Sequence, residues 1–283
     1  MLQDIYPHIY DNGYAPRAPR ASDLIICPRS SSLLVSTRTG GTTLPRYGEL
    51  CSPKNLLADG LRYLFSVDGT AFFHCPTDIA EDEGLGYLGM RELRNLPGIL
   101  AFSASCGMHL ARWYDDNRYC GRCATGMEHL DDARTLVCPN CGHVIYPKIS
   151  PVVIIAIIDG DRLLLTKYSA ARAYRHYSLV AGFVEVGETL EDAIAREVME
   201  EVGLHVRDIR YYRSQPWGFT DSLLAGFFAE VDGSNEVHLN TDGLDELGEA
   251  TWFTRDRMPA ATDTLSLTAE MMERFRTGDV PGI

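Results

Sequence analysis

The chain has 283 residues, 45% of them hydrophobic and 23% charged. That length and balance suit a folded protein of two ordinary domains and exclude dominant disorder or one small module. The net charge is −13; residues 148–283 carry −10 of it (13 Lys and Arg against 23 Asp and Glu) and residues 1–147 only −3 (13 against 16). A broad basic footprint for duplex nucleic acid and a polybasic membrane patch are thereby excluded.

Along residues 1–115, apolar runs at 24–26, 33–35, 63–67 and 71–74 alternate with Gly and Pro and predict strands joined by turns. The stretch 96–114 carries Leu96, Ile99, Leu100, Phe102, Met108, Leu110 and Trp113 at helical spacing, although Gly98 and Gly107 weaken the helix. Residues 116–147 are punctuated by cysteine and too short for a core of their own. From Pro151 the pattern changes. The run 152–158 predicts a buried strand, Asp159-Gly160-Asp161 a turn, and 163–165 a returning strand. After 178–180 come a glycine-rich loop and a helix. Residues 223–231 and 249–253 read as strands, 232–246 as a polar loop or insert, and 265–275 as a closing helix. Strands and helices mix without regular β-α-β alternation, so the expected class is α+β. The expected division is 1–115, 116–147 and 148–283.

There are eight cysteines. Residues 1–10 show no basic stretch leading into an apolar run, and no apolar run reaches the roughly 18–20 residues that span a bilayer. A cytoplasmic protein is therefore expected, with reduced thiols. Cys120-Gly-Arg-Cys123 is followed after 14 residues by Cys138-Pro-Asn-Cys141. Two such knuckles offer four soft thiolates to a tetrahedral ion, for which Zn2+ is the natural occupant. Four thiolates leave no open position, so this zinc is expected to be structural. Arg118, Arg122 and Arg134 face Asp115, Asp116, Glu128, Asp131 and Asp132 here, which is a poor nucleic-acid surface. Cys27, Cys51, Cys75 and Cys106 lie in no ligand pattern and read as buried thiols.

The stretch 182–204 runs Gly182-Phe-Val-Glu-Val-Gly-Glu188-Thr-Leu-Glu-Asp-Ala-Ile-Ala-Arg196-Glu197-Val-Met-Glu200-Glu201-Val-Gly203-Leu204. Thr189 can cap a helix and Gly203 can end it. On that helix Glu197, Glu200 and Glu201 fall within about one third of the circumference, while Leu190, Ile194, Val198 and Val202 form a neighbouring apolar arc. Such a face is either a solvated acidic surface or a cage for hard cations such as Mg2+ or Mn2+, which prefer carboxylate oxygens.

This stretch resembles the signature of the Nudix hydrolases, G-x5-E-x7-R-E-U-x-E-E-x-G-U with U a bulky aliphatic residue. Gly182, Glu188, Arg196, Glu197, Val198, Glu200, Glu201, Gly203 and Leu204 occupy every fixed position. The resemblance implies an α/β/α sandwich with a mixed sheet and metal-dependent hydrolysis of a nucleoside diphosphate linked to another group. It also implies catalytic roles for Glu197, Glu200 and Glu201. Glu197 and Glu201 would be the principal Mg2+ or Mn2+ ligands, Glu200 would lie beside them, and Glu201 would assist in activating water. The Ala181 carbonyl and Glu249 would add further ligands, and Arg196 and Glu188 would orient the loop and carboxylates.

Ser214-Gln215-Pro216-Trp217-Gly218-Phe219-Thr220-Asp221-Ser222 follows the helix. Taken alone, it reads as a loop strand with core aromatics. It resembles S-Q-P-W-P-F-P-x-S, the mark of the NADH pyrophosphatase branch of the Nudix hydrolases, which also carries a four-cysteine zinc ribbon. The resemblance implies that Gln215, Pro216, Trp217, Gly218, Phe219, Thr220, Asp221 and Ser222 line a dinucleotide pocket. It further implies that Phe183 stacks on a base, that Tyr146 contacts substrate across a homodimer, and that Arg91 and a backbone group of Ala269 add contacts. Gly218 and Thr220 stand where the branch has prolines, and glycine is expected to loosen the loop. An acidic residue that the branch carries ahead of its third cysteine falls at Ala133. The leading expectation is hydrolysis of NADH or NAD+ to nicotinamide mononucleotide and AMP, with removal of NAD caps from RNA. The alternatives are a general ADP-ribose or nucleoside-diphosphate-sugar hydrolase, and a non-catalytic ligand sensor.

Overall fold

In the computed structural model, which describes residues 1–50, 60–130, 132–169, 176–239, 247–260 and 263–280, Ser150–Asp159 is the central strand of a six-stranded mixed sheet. Cys51, Asp131 and residues 240–246 of the polar insert lie outside the described residues.

Residues 153–158 are buried on both faces because helices cover both sides of the sheet. The strand pairs in parallel with Ser222–Val231 and antiparallel with Arg162–Tyr168 and Val180–Phe183. Val206–Trp217 and Leu247–Thr254 close the two edges. The edge strand Val206–Trp217 lies outside the strands that the apolar runs predict, and it takes in the start of the 214–222 loop strand. Val153, Ile155 and Ile157 pack with Ala193, Ile194, Val198 and Val202 of the helix Leu190–Val202. On the opposite face the helix Leu267–Thr277 comes so close that a Cβ at Gly226 would lie 2.7 Å from Met271 Sδ. This is the expected sandwich.

By contact the chain forms two units. One comprises Met1–Leu2, Ser150–Pro216 and Ser222–Ile283; the other comprises Gln3–Ile149 and Trp217–Asp221. The second unit holds a four-stranded sheet in the order Tyr10–Asp11, Arg62–Val67, Thr70–His74, Leu24–Ile26. A three-stranded sheet runs Pro28–Arg29, Ser32–Ser36, Leu85–Gly89. The helix Gly98–Asp116 forms despite its two glycines. Gly98 is its first residue, and Gly107 admits Ile26, whose Cδ1 would lie 2.6 Å from a Cβ there. The cysteine-rich stretch makes a small sheet of Val144–Ile145, Leu136–Val137 and Glu128–His129 in the same unit. It is tied down by Tyr114 Oη to His129 Nε2 at 2.8 Å and by Arg134, which donates to the Leu64 carbonyl. Cys27 and Cys75 are buried as expected, and no helix among the described residues is long and apolar enough to cross a membrane.

Candidate active site

The helix Leu190–Val202 starts where Thr189 Oγ1 accepts the Asp192 N–H at 3.1 Å. It stops at Gly203, whose φ of +68° is left-handed and whose N–H reaches the Met199 carbonyl at 3.1 Å. These caps fix which face the glutamates share. Glu197 lies against the strand Val180–Phe183, which carries Ala181; a Cβ on Gly182 would lie 1.8 Å from its carboxyl carbon. Glycine at 182 leaves the space in which that carboxylate sits.

Arg196 organises the cluster. Its Nε and second terminal nitrogen grip Glu188 at 2.6 and 2.9 Å, and its other terminal nitrogen donates to Glu197 at 2.9 Å and Glu200 at 3.0 Å. It also holds the Phe183 carbonyl at 3.0 Å. Glu188 completes the turn by accepting the Glu185 N–H at 2.9 Å. The guanidinium, with that N–H, holds the Glu188 carboxyl down to about 2. Burial lifts the Glu197 carboxyl above the usual carboxylate range, with Arg196 pulling the other way. Glu200 is more exposed, and Glu201 is partly buried. On the strand Leu247–Thr254, Glu249 accepts Tyr177 Oη at 2.5 Å and Thr251 Oγ1 at 3.2 Å. Among the described residues no three of these carboxylates gather within 4.8 Å; Arg196 and Tyr177 hold their oxygens instead. The donors are all hard oxygens beside a glycine-seated carboxylate, and that chemistry fits Mg2+ or Mn2+.

The four cysteines do converge, with all Sγ atoms within 4.8 Å. Cys120–Cys141 and Cys123–Cys141 are 3.6 Å apart and Cys123–Cys138 3.4 Å. Thiolates about 2.3 Å from a tetrahedral Zn2+ would lie about 3.8 Å from each other, so the quartet fits zinc closely. Each knuckle turns through a left-handed residue, Ala124 at φ +59° and Gly142 at φ +68°.

The residues of the aromatic loop divide between buried and exposed positions. Gln215 lines no surface: it is fully buried, its Nε2 donating to the Leu265 carbonyl at 2.8 Å and its Oε1 accepting the Leu267 N–H at 2.7 Å. It ties the strand to the closing helix. Trp217, Gly218, Phe219 and Ser222 are buried too, while Pro216 and Thr220 are exposed and Asp221 is half-buried. Ala269 is buried, and its N–H is taken by the Ser266 cap at 3.2 Å. Phe183, by contrast, is 54% exposed and Tyr146 68% exposed, as stacking surfaces require. Arg91 lies exposed on the short helix Met90–Leu93.

Residues 148–275 match the NUDIX domain, and residues 115–146 match the NADH pyrophosphatase zinc ribbon domain. Residues 148–275 thus carry a Nudix domain. It is 41% identical over 170 residues to the NAD-capped RNA hydrolase NudC of Shigella boydii serotype 18, covering 60% of this chain and 64% of that protein. It is 43% identical over 156 residues to the NAD-capped RNA hydrolase NudC of Escherichia coli strain SMS-3-5, covering 55% and 59%. The match thus spans less than two thirds of those relatives' own length. A NUDIX hydrolase crystal structure from Nitrosomonas europaea aligns over 56% of this chain and 90% of that one, at 21% identity and a TM-score of 0.49.

Residues outside the Nudix signature escaped the sequence reading. Tyr177, which holds Glu249, carried no signal. Arg94, Ser105, His109 and Arg112 touch the loop or the Lys148 carbonyl. Three of them are polar positions at 105, 109 and 112 on a largely apolar helix, a pattern open to detection.

Proposed function

We propose that this Nudix protein is a metal-dependent dinucleotide pyrophosphatase acting on NADH or NAD+, and on the NAD cap of RNA. The complete glutamate signature, seated by Gly182 and ordered by Arg196, together with the zinc ribbon of NADH pyrophosphatase type, supports this reading. In the reaction the oxygen of water bonds to one phosphorus of the diphosphate. The bridging oxygen leaves with the other, giving nicotinamide mononucleotide and AMP. Glu197, Glu200, Glu201, Glu249 and the Ala181 carbonyl would hold Mg2+ or Mn2+, which would neutralise the diphosphate and activate water. Glu201 takes the proton of the attacking water, a general-base role open to a carboxylate at neutral pH. Arg196 keeps Glu197 and Glu200 on one side of the helix. Phe183 offers its exposed ring to a base, and Tyr146 does so from the segment past the ribbon. The zinc in the cysteine quartet is structural.

The three-part division at 115/116 and 147/148, a cytoplasmic location, and a homodimer in which Tyr146 serves the partner's substrate complete the proposal. The test compares kcat/KM and products for NADH, NAD+, NAD-capped RNA and ADP-ribose with Mg2+ or Mn2+. Release of nicotinamide mononucleotide and AMP from the dinucleotides at higher kcat/KM than ADP-ribose is expected. Preference for ADP-ribose would favour the general hydrolase, and binding without cleavage would favour the sensor.

A further inference from the structure

The helix Gly98–Asp116 is largely apolar, yet Ser105, His109 and Arg112 lie along one stripe, four and three residues apart. Ser105 and Arg112 both meet the backbone at Gly218, and His109 meets that of Lys148. A Cβ on Gly218 would lie 2.2 Å from the Ser105 carbonyl oxygen, so the loop backbone rests directly on the helix. His109 Nε2 lies 2.7 Å from the Lys148 carbonyl and 3.8 Å from the Asp221 carboxylate. Arg112 grips Asp221 with Nε, 3.2 and 3.1 Å from the two oxygens, and with a terminal nitrogen that also donates to the Gly218 carbonyl. The Arg94 guanidinium lies 4.8 Å from the centre of the Trp217 ring and 5.1 Å from that of Phe219. These rings pack edge to face, 5.0 Å apart.

Asp221 has a φ of +56°, in the left-handed region that side chains other than glycine adopt at a cost. Its carboxylate is gripped in that conformation by Arg112. Arginine suits the task because its planar fork meets a carboxylate and a carbonyl in one fixed geometry, whereas lysine offers a single point of donation on a flexible stem.

We propose that Arg112 is a positioning residue for substrate selection: it locks Trp217–Asp221 in one conformation, in which Thr220 is exposed to meet the dinucleotide. This rests on the dinucleotide reading above. The aromatic pair serves as the buried anchor of the loop, so the lock raises affinity by removing competing loop conformations. The chemistry at the glutamates is left alone.

The test uses the full chain with zinc and Mg2+ and the variants Arg112→Met, Arg112→Lys and Asp221→Asn. Arg112→Met should raise KM for NADH about tenfold with kcat within about twofold, the mark of lost uniform binding. Amide exchange should quicken in 217–221 and stay unchanged in 190–202. Arg112→Lys should recover only part of the KM. Wild-type exchange in 217–221, faster exchange without a KM change, or a fall in Tm alone would each overturn the proposal. If Arg112→Met does not fold, Asp221→Asn carries the same readouts. If the parent protein cleaves ADP-ribose but not NADH, the dinucleotide reading fails, and the KM and exchange comparison on ADP-ribose then decides the role of Arg112.

Discussion

The glutamate helix and the aromatic loop both resemble family motifs, the helix at every fixed position and the loop at all but Gly218 and Thr220, and the fold uses them differently. In the helix the signature glutamates share one face, Arg196 spaces them, and Gly182 makes room for Glu197. In the loop most of the signature letters are buried: Gln215 caps contacts of the closing helix, and Trp217 and Phe219 lie under Arg94. A motif thus transmits chemistry where its side chains reach solvent. Elsewhere the same letters transmit architecture. The glycine at 218 illustrates the difference. It was expected to loosen the loop, and instead permits its closest approach to the helix at Ser105.

The comparison can be broken or sharpened by experiment. Glu201→Gln should lower kcat by about 10²–10⁴-fold, the usual worth of a general base. Zinc content and thermal midpoint should stay at parent values, and activity near the parent level would remove Glu201 from its role. Trp217→Ala should cost about 3–5 kcal/mol in urea unfolding, as for other buried large aromatics. Intact stability with selective loss of nicotinamide substrates would make the loop a stacking platform after all. Gly218→Ala should destabilise by about 1–3 kcal/mol, because a methyl meets backbone that cannot step aside; an unfolding midpoint at the parent value would show the loop rests less tightly on Ser105. Phe183→Ala should do the reverse of Trp217→Ala. It should raise KM by the equivalent of about 1–3 kcal/mol of stacking and leave stability nearly unchanged. Equal KM values for parent and variant would remove Phe183 from the site.

The smallest effect concerns pH and the N-terminal unit alone. Burial pushes the Asp23 carboxyl up, but hydrogen bonds from Arg17 and from the Arg20 and Ala71 N–H groups outweigh it and hold it below the usual carboxylate range. A lowered folded-state value means the stabilisation is present above about pH 4 and lost as pH falls through that value. The stability difference between the parent and Asp23→Asn should therefore shrink in acid, read by urea unfolding at pH 7 and pH 3. A difference that stays constant would mean that Asp23 does not titrate across that range.

The site was legible to different depths for physical reasons. Cys120, Cys123, Cys138 and Cys141 declare themselves because two short knuckles place their own ligands, and distance along the chain nearly fixes distance in space. Glu197, Glu200 and Glu201 are legible because helical periodicity sets their common face. Arg112, Arg94 and Tyr177 were not, because their partners lie far away in sequence: Asp221, Trp217 and Glu249. The strand Val206–Trp217 was passed over because its burial pattern is mixed rather than alternating.

The sequence by itself determined the metal chemistry on offer, soft thiolates in one module and hard carboxylates in another, together with the elements that carry them. Only the tertiary structure decided which motif residues face solvent. It buried Gln215, Trp217 and Phe219, exposed Phe183 and Tyr146, and assigned Trp217–Asp221 to the N-terminal unit. Ligand type and helical phase are local properties of the chain. Burial depends on which distant backbone arrives alongside, as Ser105 does at Gly218.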